Sequence, residues 1–175
     1  MCEMKAMECL LTRRSVRSYQ DKQVPRELVE KVMEAGVYAP SAMNRQSATY
    51  VAVQDAETVK LLSKMNAAVM NSDSDPFYGA PTIILAFAVP GSQVSIEDAT
   101  LGLGNMFNAA HALGLASCWI NRVKEMFETE EGKALLAKWG VNVPVEGVGS
   151  CILGYAACEL PAPRPRRGDN VFYVG

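Results

Sequence analysis

The sequence T-I-I-L-A-F-A-V, residues 82–89, is a nearly continuous apolar run in the middle of the chain. It predicts a β-strand buried on both faces, because a strand with one face in solvent would alternate polar and apolar residues. The whole run from Pro81 to Pro90 is too short to cross a bilayer, so we expect no membrane association. We expect this strand in a sheet that helices cover.

Helical and strand-like patterns surround this run. Helices are predicted at Met4–Thr12, from Pro25 to a stop at Pro40, at Ala56–Ala68, from Ser95 to about Leu113, and within Glu125–Trp139. Short strands are predicted at Thr49–Val53, Ser117–Ile120 and Val148–Tyr155. The fold class is therefore α+β, with a mixed central β-sheet flanked by helices. Nothing divides residues 1–175 into more than one domain.

The long central helix has two notable features. Ser95 and Asp98 resemble a capping box, with aspartate in place of glutamate, at its beginning. Gly102, Gly104 and several alanines make much of its surface small. Small side chains let another backbone approach closely, which fits either tight packing within the chain or a helix in a subunit interface.

Composition excludes several functional classes. The 175 residues are 49% hydrophobic with a net charge of −2, which indicates a globular protein and argues against a dedicated nucleic-acid binder. A single histidine, His111, excludes a multi-histidine metal centre, and five cysteines without a C-x-x-C pair argue against structural zinc. The odd cysteine count and the absence of a signal-peptide pattern predict a cytoplasmic protein with reduced thiols. His111 and Cys118 are either a nucleophile pair or ordinary packing residues.

Six of the nine arginines fall in two short clusters near opposite ends of the chain. They are Arg13, Arg14 and Arg17, and Arg164, Arg166 and Arg167. Clustered arginines suit the recognition of a carboxylate or phosphate, although each cluster alone also fits a solvated charged face. No glycine-rich phosphate loop is present, so side chains would do most of the binding to such an anion.

The chain after Leu160 has the sequence P-A-P-R-P-R-R-G-D-N-V-F-Y-V-G. Its prolines exclude a helix and favour an extended path. The apolar run Val171–Val174 at its end is typical of a strand. A strand reached by an extended arm should pair with a sheet edge, and an arm of this length could reach a partner subunit.

Four motifs occur in order along the chain. They are R-R-S-V-R-S-Y from Arg13, A-P-S-A-M-N-R-Q from Ala39, G-L-A-S-C-W-I-N from Gly114, and P-A-P-R-P-R-R from Pro161. This ordered set resembles the nitroreductase family of FMN-dependent oxidoreductases over almost the whole chain. The resemblance implies a nitroreductase-like fold, a homodimer with FMN at the subunit interface, and a C-terminal arm that adds a strand to the partner subunit.

The resemblance also implies which residues hold the cofactor. Arg13, Arg14, Ser15, Arg164 and Arg166 would approach the phosphate and ribityl end, and Arg17 would lie near flavin N1 and O2, where a cation stabilises the reduced flavin. The second and third motifs would supply the remaining contacts, with backbone N–H groups near Asn121 meeting flavin N5 or O4. Their cofactor-binding residues are Pro40, Ser41, Ala42, Asn44, Gln46, Trp119, Ile120 and Asn121.

The implied activity is hydride transfer from NAD(P)H through flavin N5 to an acceptor such as a nitroaromatic or quinone, with ping-pong kinetics and no side-chain acid or base. Ser47 and Ala48 replace the proline and tryptophan that the family often has, and the stretch from Val89 to Ile96 is short, so the pocket's shape and the acceptor stay open. Two alternatives remain: an FMN-holding redox-partner or storage protein with little NAD(P)H activity, and a reductive dehalogenase on the same scaffold.

Overall fold

The computed structural model describes residues 5–175. Its helices are α1 (Ala6–Thr12), α2 (Arg26–Val37), α3 (Ala56–Val69), α4 (Ser95–Ala112), α5 (Val123–Glu128) and α6 (Glu130–Lys138), and a short 3₁₀ turn covers Ala42–Asn44. Its strands are β1 (Ala48–Val53), β2 (Thr82–Ala88), β3 (Ala116–Ile120) and β4 (Glu146–Gly154). Each predicted helix and each predicted strand of the central sheet therefore has a counterpart, and only the predicted start of the first helix, at Met4, lies outside the described residues.

The four strands form one sheet in the order β1-β2-β4-β3, with every neighbouring pair antiparallel. The central sheet, predicted to be mixed, is thus antiparallel in all four strands, and a parallel pairing occurs as an isolated bridge between Ser15 and Ser117. Strands β1 and β3 are the two edges. The chain just after α1 lies along β3, where the Val16 N–H donates to the Ser117 carbonyl at 3.1 Å.

Strand β2 is buried along its full length, as its sequence predicts. On one face of the sheet, Phe87 packs edge-on against Phe127 of α5, with ring centroids 5.0 Å apart, in a layer that also contains Leu62 of α3. On the other face, Ile84 packs with Leu103 of α4 in a second layer. Two apolar layers around one sheet confirm the α+β architecture.

Helices α2 and α4 pack closely because both carry glycine at their crossing. A Cβ at Gly102 would collide with the Tyr50 hydroxyl and would lie 3.1 Å from the Gly36 carbonyl oxygen. A Cβ at Gly36 would collide with Met106. Gly104, by contrast, faces open space. Packing within the chain therefore explains Gly102, whereas none of the residues that the structure describes packs closely against Gly104.

The predicted capping box at the start of α4 is wrong. The Ser95 hydroxyl donates to the Ser92 carbonyl at 3.0 Å, and the residue before the helix, Val94, caps it with no side-chain hydrogen bond. Asp98 is engaged elsewhere, with the Ala42 N–H and the Ser47 hydroxyl. The spacing of Ser95 and Asp98 fits a capping box, but the Asp98 carboxylate bonds to the distant residues Ala42 and Ser47 instead.

The tail, residues 161–175, has no regular secondary structure. The side chains of its apolar run, Val171–Val174, are exposed, with Tyr173 at 95%. This run therefore forms no strand within the chain itself, and its pairing with a partner subunit stays a prediction.

Candidate functional site

The arginine segment, Arg13 to Arg17, is an extended stretch beside β3. Val16 is only 1% exposed and is bonded to β3, whereas Arg17 is exposed. Arg13, Arg14 and Ser15 are partly exposed. Side-chain donors of this segment are therefore accessible beside the edge of the sheet.

Arg13 is fixed against the end of α4. Its guanidinium carbon lies 5.7 Å from the centroid of the Phe107 ring, an arrangement typical of a cation–π contact. The Phe107 ring in turn lies 6.2 Å from the ring of Trp119 on β3. The structure therefore brings the first and third motifs together through Phe107, which the sequence did not single out.

Arg14 carries an unsatisfied donor. Its Nη1 donates to the Leu11 carbonyl at 2.9 Å and to the Arg13 carbonyl at 2.7 Å. Its Nε is buried and has no hydrogen-bond partner among residues 5–175. A buried guanidinium N–H without an acceptor is costly, so this atom fits a site that an anion completes.

His111 belongs to the same polar cluster rather than to a nucleophile pair. Its Nε2 lies 2.9 Å from the Thr12 hydroxyl, which also donates to the Glu8 carbonyl at 2.6 Å. Burial, and then the charges of Arg13 and Arg14, lower the pKa of His111. Cys118 lies in the apolar core on the α3 face of the sheet, so it has the packing role that the sequence also allowed.

The 40–46 loop, Pro40 to Gln46, joins α2 to β1 and has an unusual backbone. Met43, Asn44 and Gln46 have φ values of 56°, 55° and 52°, a left-handed conformation that non-glycine residues seldom adopt. The Gln46 N–H donates to the Ser41 hydroxyl at 3.0 Å and closes the loop. Such strain persists only where surrounding contacts hold it, and it concentrates at binding sites.

Asp98 of α4 is the principal contact that holds this loop. Its carboxylate, 5% exposed, accepts from the Ala42 N–H at 3.0 Å and from the Ser47 hydroxyl at 2.5 Å. Burial, and then the charge of Asp98, raise the pKa of the neighbouring Tyr50 to about 12. Ser47, one of the two positions where the sequence departs from the resemblance, ties the loop to α4.

The end of β3 is held by side chains on both sides. The Trp119 indole N–H donates to the side-chain oxygen of Asn121. The backbone carbonyl of Asn121 accepts a hydrogen bond from the Asn66 amide of α3 at 2.9 Å. Ile120, which lies between Trp119 and Asn121 in the sequence, is buried. Asn66 was missed from the sequence, where it looks like one polar position of an amphipathic helix.

The predicted site residues form two separate groups within one chain. Asp98 holds the 40–46 loop at the beginning of α4. Asn108 and His111 lie near the C-terminal end of α4, where they contact Cys9 and Thr12 of α1. Ten residues of helix correspond to roughly 15 Å. Arg164 and Arg166 are exposed in the tail, and no hydrogen bond or ion pair within the described part of the chain joins them to the arginine segment.

Neither group encloses a large cavity on its own. The cavity beside the 40–46 loop has a volume of about 110 Å³, and Ser41, Gln46 and Asp98 are among its lining residues. Ligand sites usually enclose roughly 300–1,000 Å³. A larger cavity of about 650 Å³, beside Val59, Asp75 and Phe77, contains none of the predicted site residues. Within residues 5–175, no three acidic, cysteine or histidine side chains meet as a metal site would require.

A model of the Nitroreductase family matches residues 10–155. The chain belongs to the nitroreductase family. A relative from Methanothermobacter thermautotrophicus, provisionally named as an NADH dehydrogenase/NAD(P)H nitroreductase, is 31% identical over 85% of this chain and 82% of its own. An FMN reductase [NAD(P)H] from Bacillus subtilis is 27% identical over 93% of this chain and 70% of its own.

Solved structures of nitroreductases share the fold. A Bacteroides fragilis nitroreductase with bound FMN has a TM-score of 0.87 and 29% identity, and the match covers 98% of this chain and 100% of that one. A Desulfitobacterium hafniense nitroreductase has the same TM-score at 23% identity, with the same coverage. The family resemblance and the fold that it implied are thus confirmed. Among the described helices, none is both long and apolar enough to span a membrane.

Proposed function

We propose that this nitroreductase-family protein is an FMN-dependent oxidoreductase that uses NAD(P)H. The observation that carries the proposal is a segment fixed to β3 through Val16, in which Arg13, Ser15 and Arg17 are accessible and the buried Nε of Arg14 is unsatisfied. A dianionic phosphate takes several charge-assisted hydrogen bonds from such donors. The FMN in the Bacteroides fragilis nitroreductase and the name of the Bacillus subtilis relative support the same cofactor.

FMN, when bound, would accept hydride from NAD(P)H at N5 and pass it to an acceptor such as a nitroaromatic or quinone in a ping-pong cycle. The chain's own residues would bind and orient it. Arg13, Arg14 and Ser15 would hold the phosphate with Arg164 and Arg166 from the tail. Arg17 would place a positive charge near N1 and O2, which favours the reduced form. No side chain is required as an acid or base.

A homodimer would complete the site. The 40–46 loop and the arginine segment lie at opposite ends of α4, so Pro40, Ser41, Ala42, Asn44 and Gln46 would contact the flavin held mainly by the other subunit. Much of the surface near these groups is apolar and exposed: Met7, Leu10, Leu11, Tyr38 and Met43. An exposed apolar surface of this kind is typical of an interface between subunits.

The tail would also contribute to the dimer. The outer edge of β3 already has the Val16 N–H bonded to it, whereas β1 is the sheet's other edge. The run Val171–Val174 would therefore add a strand to the β1 edge of the partner subunit. Arg164 and Arg166, which precede this run in the tail, would then lie beside the flavin phosphate. One domain per chain and a cytoplasmic location, with free thiols such as the exposed Cys158, belong to the same proposal.

The first test is cofactor binding by the purified protein. We expect it to be yellow and to release FMN, and Arg13→Ala should weaken FMN binding about 10- to 150-fold, as expected for the loss of a charge-assisted hydrogen bond. The matched control is Arg26→Ala, because Arg26 pairs with Glu30 on the exposed face of α2. A wild-type protein that stays colourless after incubation with FMN would refute the proposal.

The second test separates the activities that the fold allows. Loaded protein is mixed with NADH and then NADPH, and the flavin absorbance is followed before and after a quinone is added. Bleaching by either nicotinamide, reversed by the quinone, is the expected result. Failure with both would favour a redox-partner or storage protein.

A further inference from the structure

Asn66 is a fully buried amide beneath the end of β3. Its Nδ2 donates to the Asn121 carbonyl at 2.9 Å, and its Oδ1 accepts from the Nε of Arg122 at 2.9 Å. A carbonyl can only accept and a guanidinium can only donate, so the amide has one orientation that satisfies both. The remaining Nδ2 contact is with the sulfur of Met126 at 3.2 Å.

This contact fixes the direction of one peptide unit. The Asn121–Arg122 peptide is trans, and in a trans peptide the C=O and N–H bonds point in opposite directions. Because the carbonyl points to Asn66 on α3, the N–H of Arg122 points away from α3. Helix α3 packs on one face of the sheet, and Phe107, which contacts Arg13 and Trp119, packs on the other.

The residue after the carbonyl needs support of its own. Arg122 has φ 78° and ψ 12°, a left-handed conformation that is costly for any side chain other than glycine. Its guanidinium is the group that donates to Asn66. One side chain therefore holds both the carbonyl of Asn121 and the strained residue that follows it, so the peptide is kept from rotating to the opposite orientation.

We propose that Asn66 is a positioning residue that directs the Arg122 N–H toward flavin N5. The proposal rests on the proposed FMN-dependent function. It identifies the Arg122 N–H as the backbone donor near Asn121 that would bond to flavin N5. Oxidised N5 is unprotonated and accepts a hydrogen bond, whereas N5 of the reduced flavin carries its own proton. A fixed N–H donor therefore stabilises oxidised FMN more than reduced FMN, and Asn66 lowers the midpoint potential.

The variant Asn66→Asp tests this role with little change in volume. It keeps an oxygen to accept from Arg122 and replaces the donor to the Asn121 carbonyl with a second oxygen. Oxidised FMN should bind about 3- to 10-fold more weakly, the loss expected for one hydrogen bond, while the affinity for reduced FMN changes less than about twofold. A fivefold difference between the two affinities raises the two-electron midpoint potential by about 20 mV.

Met126→Leu is the matched control, because it removes the third contact of the same amide and leaves the peptide's carbonyl bonded. It should lower the melting temperature without moving the potential. In protein loaded with ¹⁵N-labelled FMN, the N5 resonance should shift in Asn66→Asp and stay in place in Met126→Leu. Asn66→Ala is measured in parallel with the same expectation, because it removes the same donor without adding a negative charge that would itself disfavour the reduced flavin.

An unchanged ratio of oxidised to reduced FMN affinities in folded Asn66→Ala would overturn the proposal, even if that variant were less stable. That result leaves the proposed function intact, since the wild-type protein would still bind FMN. A wild-type protein without FMN affinity would instead refute the proposed function and, with it, the role of Asn66.

Discussion

Removal of the Asp98 carboxylate should destabilise the protein strongly. The carboxylate accepts hydrogen bonds from the Ala42 N–H at 3.0 Å and from the Ser47 hydroxyl at 2.5 Å, and it is buried. Each such bond to a charged acceptor contributes about 1.5–3 kcal/mol. Part of this gain is offset because burying a carboxylate is itself unfavourable. We therefore expect Asp98→Ala to lower the free energy of unfolding by about 3 kcal/mol.

Asp98→Asn should be far milder, at about 1 kcal/mol. The remaining oxygen can still accept from the Ala42 N–H. The Ser47 hydroxyl can rotate and accept from the new amide, because a hydroxyl both donates and accepts. The contrast between the two variants separates the hydrogen bonds from the charge.

The assay is urea unfolding of the FMN-free proteins. Their free energies of unfolding are compared with the same slope of free energy against urea concentration for every variant. In a Ser47→Ala background, Asp98→Ala should cost about 1 kcal/mol less, since one of its two bonds is already absent. Asp169→Asn, in the exposed tail, is the control and should keep the wild-type midpoint. Equal losses for Asp98→Ala and Asp98→Asn would refute the reasoning.

Two further predictions concern α4. Gly102→Ala should destabilise the protein by about 1–3 kcal/mol, because the added Cβ collides with the Tyr50 hydroxyl, and Tyr50→Phe should partly restore stability. Gly104→Ala, at a position that faces open space, should stabilise the protein by about 0.5–1 kcal/mol. Thermal melts of the four proteins check this, and equal effects at the two glycines would contradict it. His111 has a lowered pKa in the folded protein, so the unfolded chain binds its proton more readily and stability should fall as the pH drops below about 6.5. Proton NMR of this single histidine should give a pKa below 6.5 without FMN and a higher pKa with FMN, because a bound phosphate offsets the charges of Arg13 and Arg14. A pKa that FMN leaves unchanged would place the phosphate elsewhere.

The fold was largely predictable because its signals are local. The apolar run of β2, the proline before α2 and the helical spacing in α3 depend on neighbours in sequence, and the structure confirms all three. The capping box failed for the opposite reason. Its aspartate is recruited by Ala42 and Ser47, more than fifty residues away, and no local pattern reveals that competition.

The site was predictable only in part. Motif order located the arginine segment and the end of β3, and the structure joins them through Phe107. Sequence could not reveal Asn66, since a buried amide on a helix looks like any other polar position until its partners are known. The convergence of the two arginine clusters stays a prediction, because it depends on the tail and a second subunit.

The open β1 edge has a consequence for newly made protein. A six-residue edge strand with unpaired backbone groups can accept any extended chain, including the same strand of another molecule. A subunit without its partner's tail would therefore be prone to aggregate in proportion to its concentration. The proposed pairing of residues 171–174 with this edge would therefore also protect solubility, and a tail-less protein should be recovered mainly from the insoluble fraction.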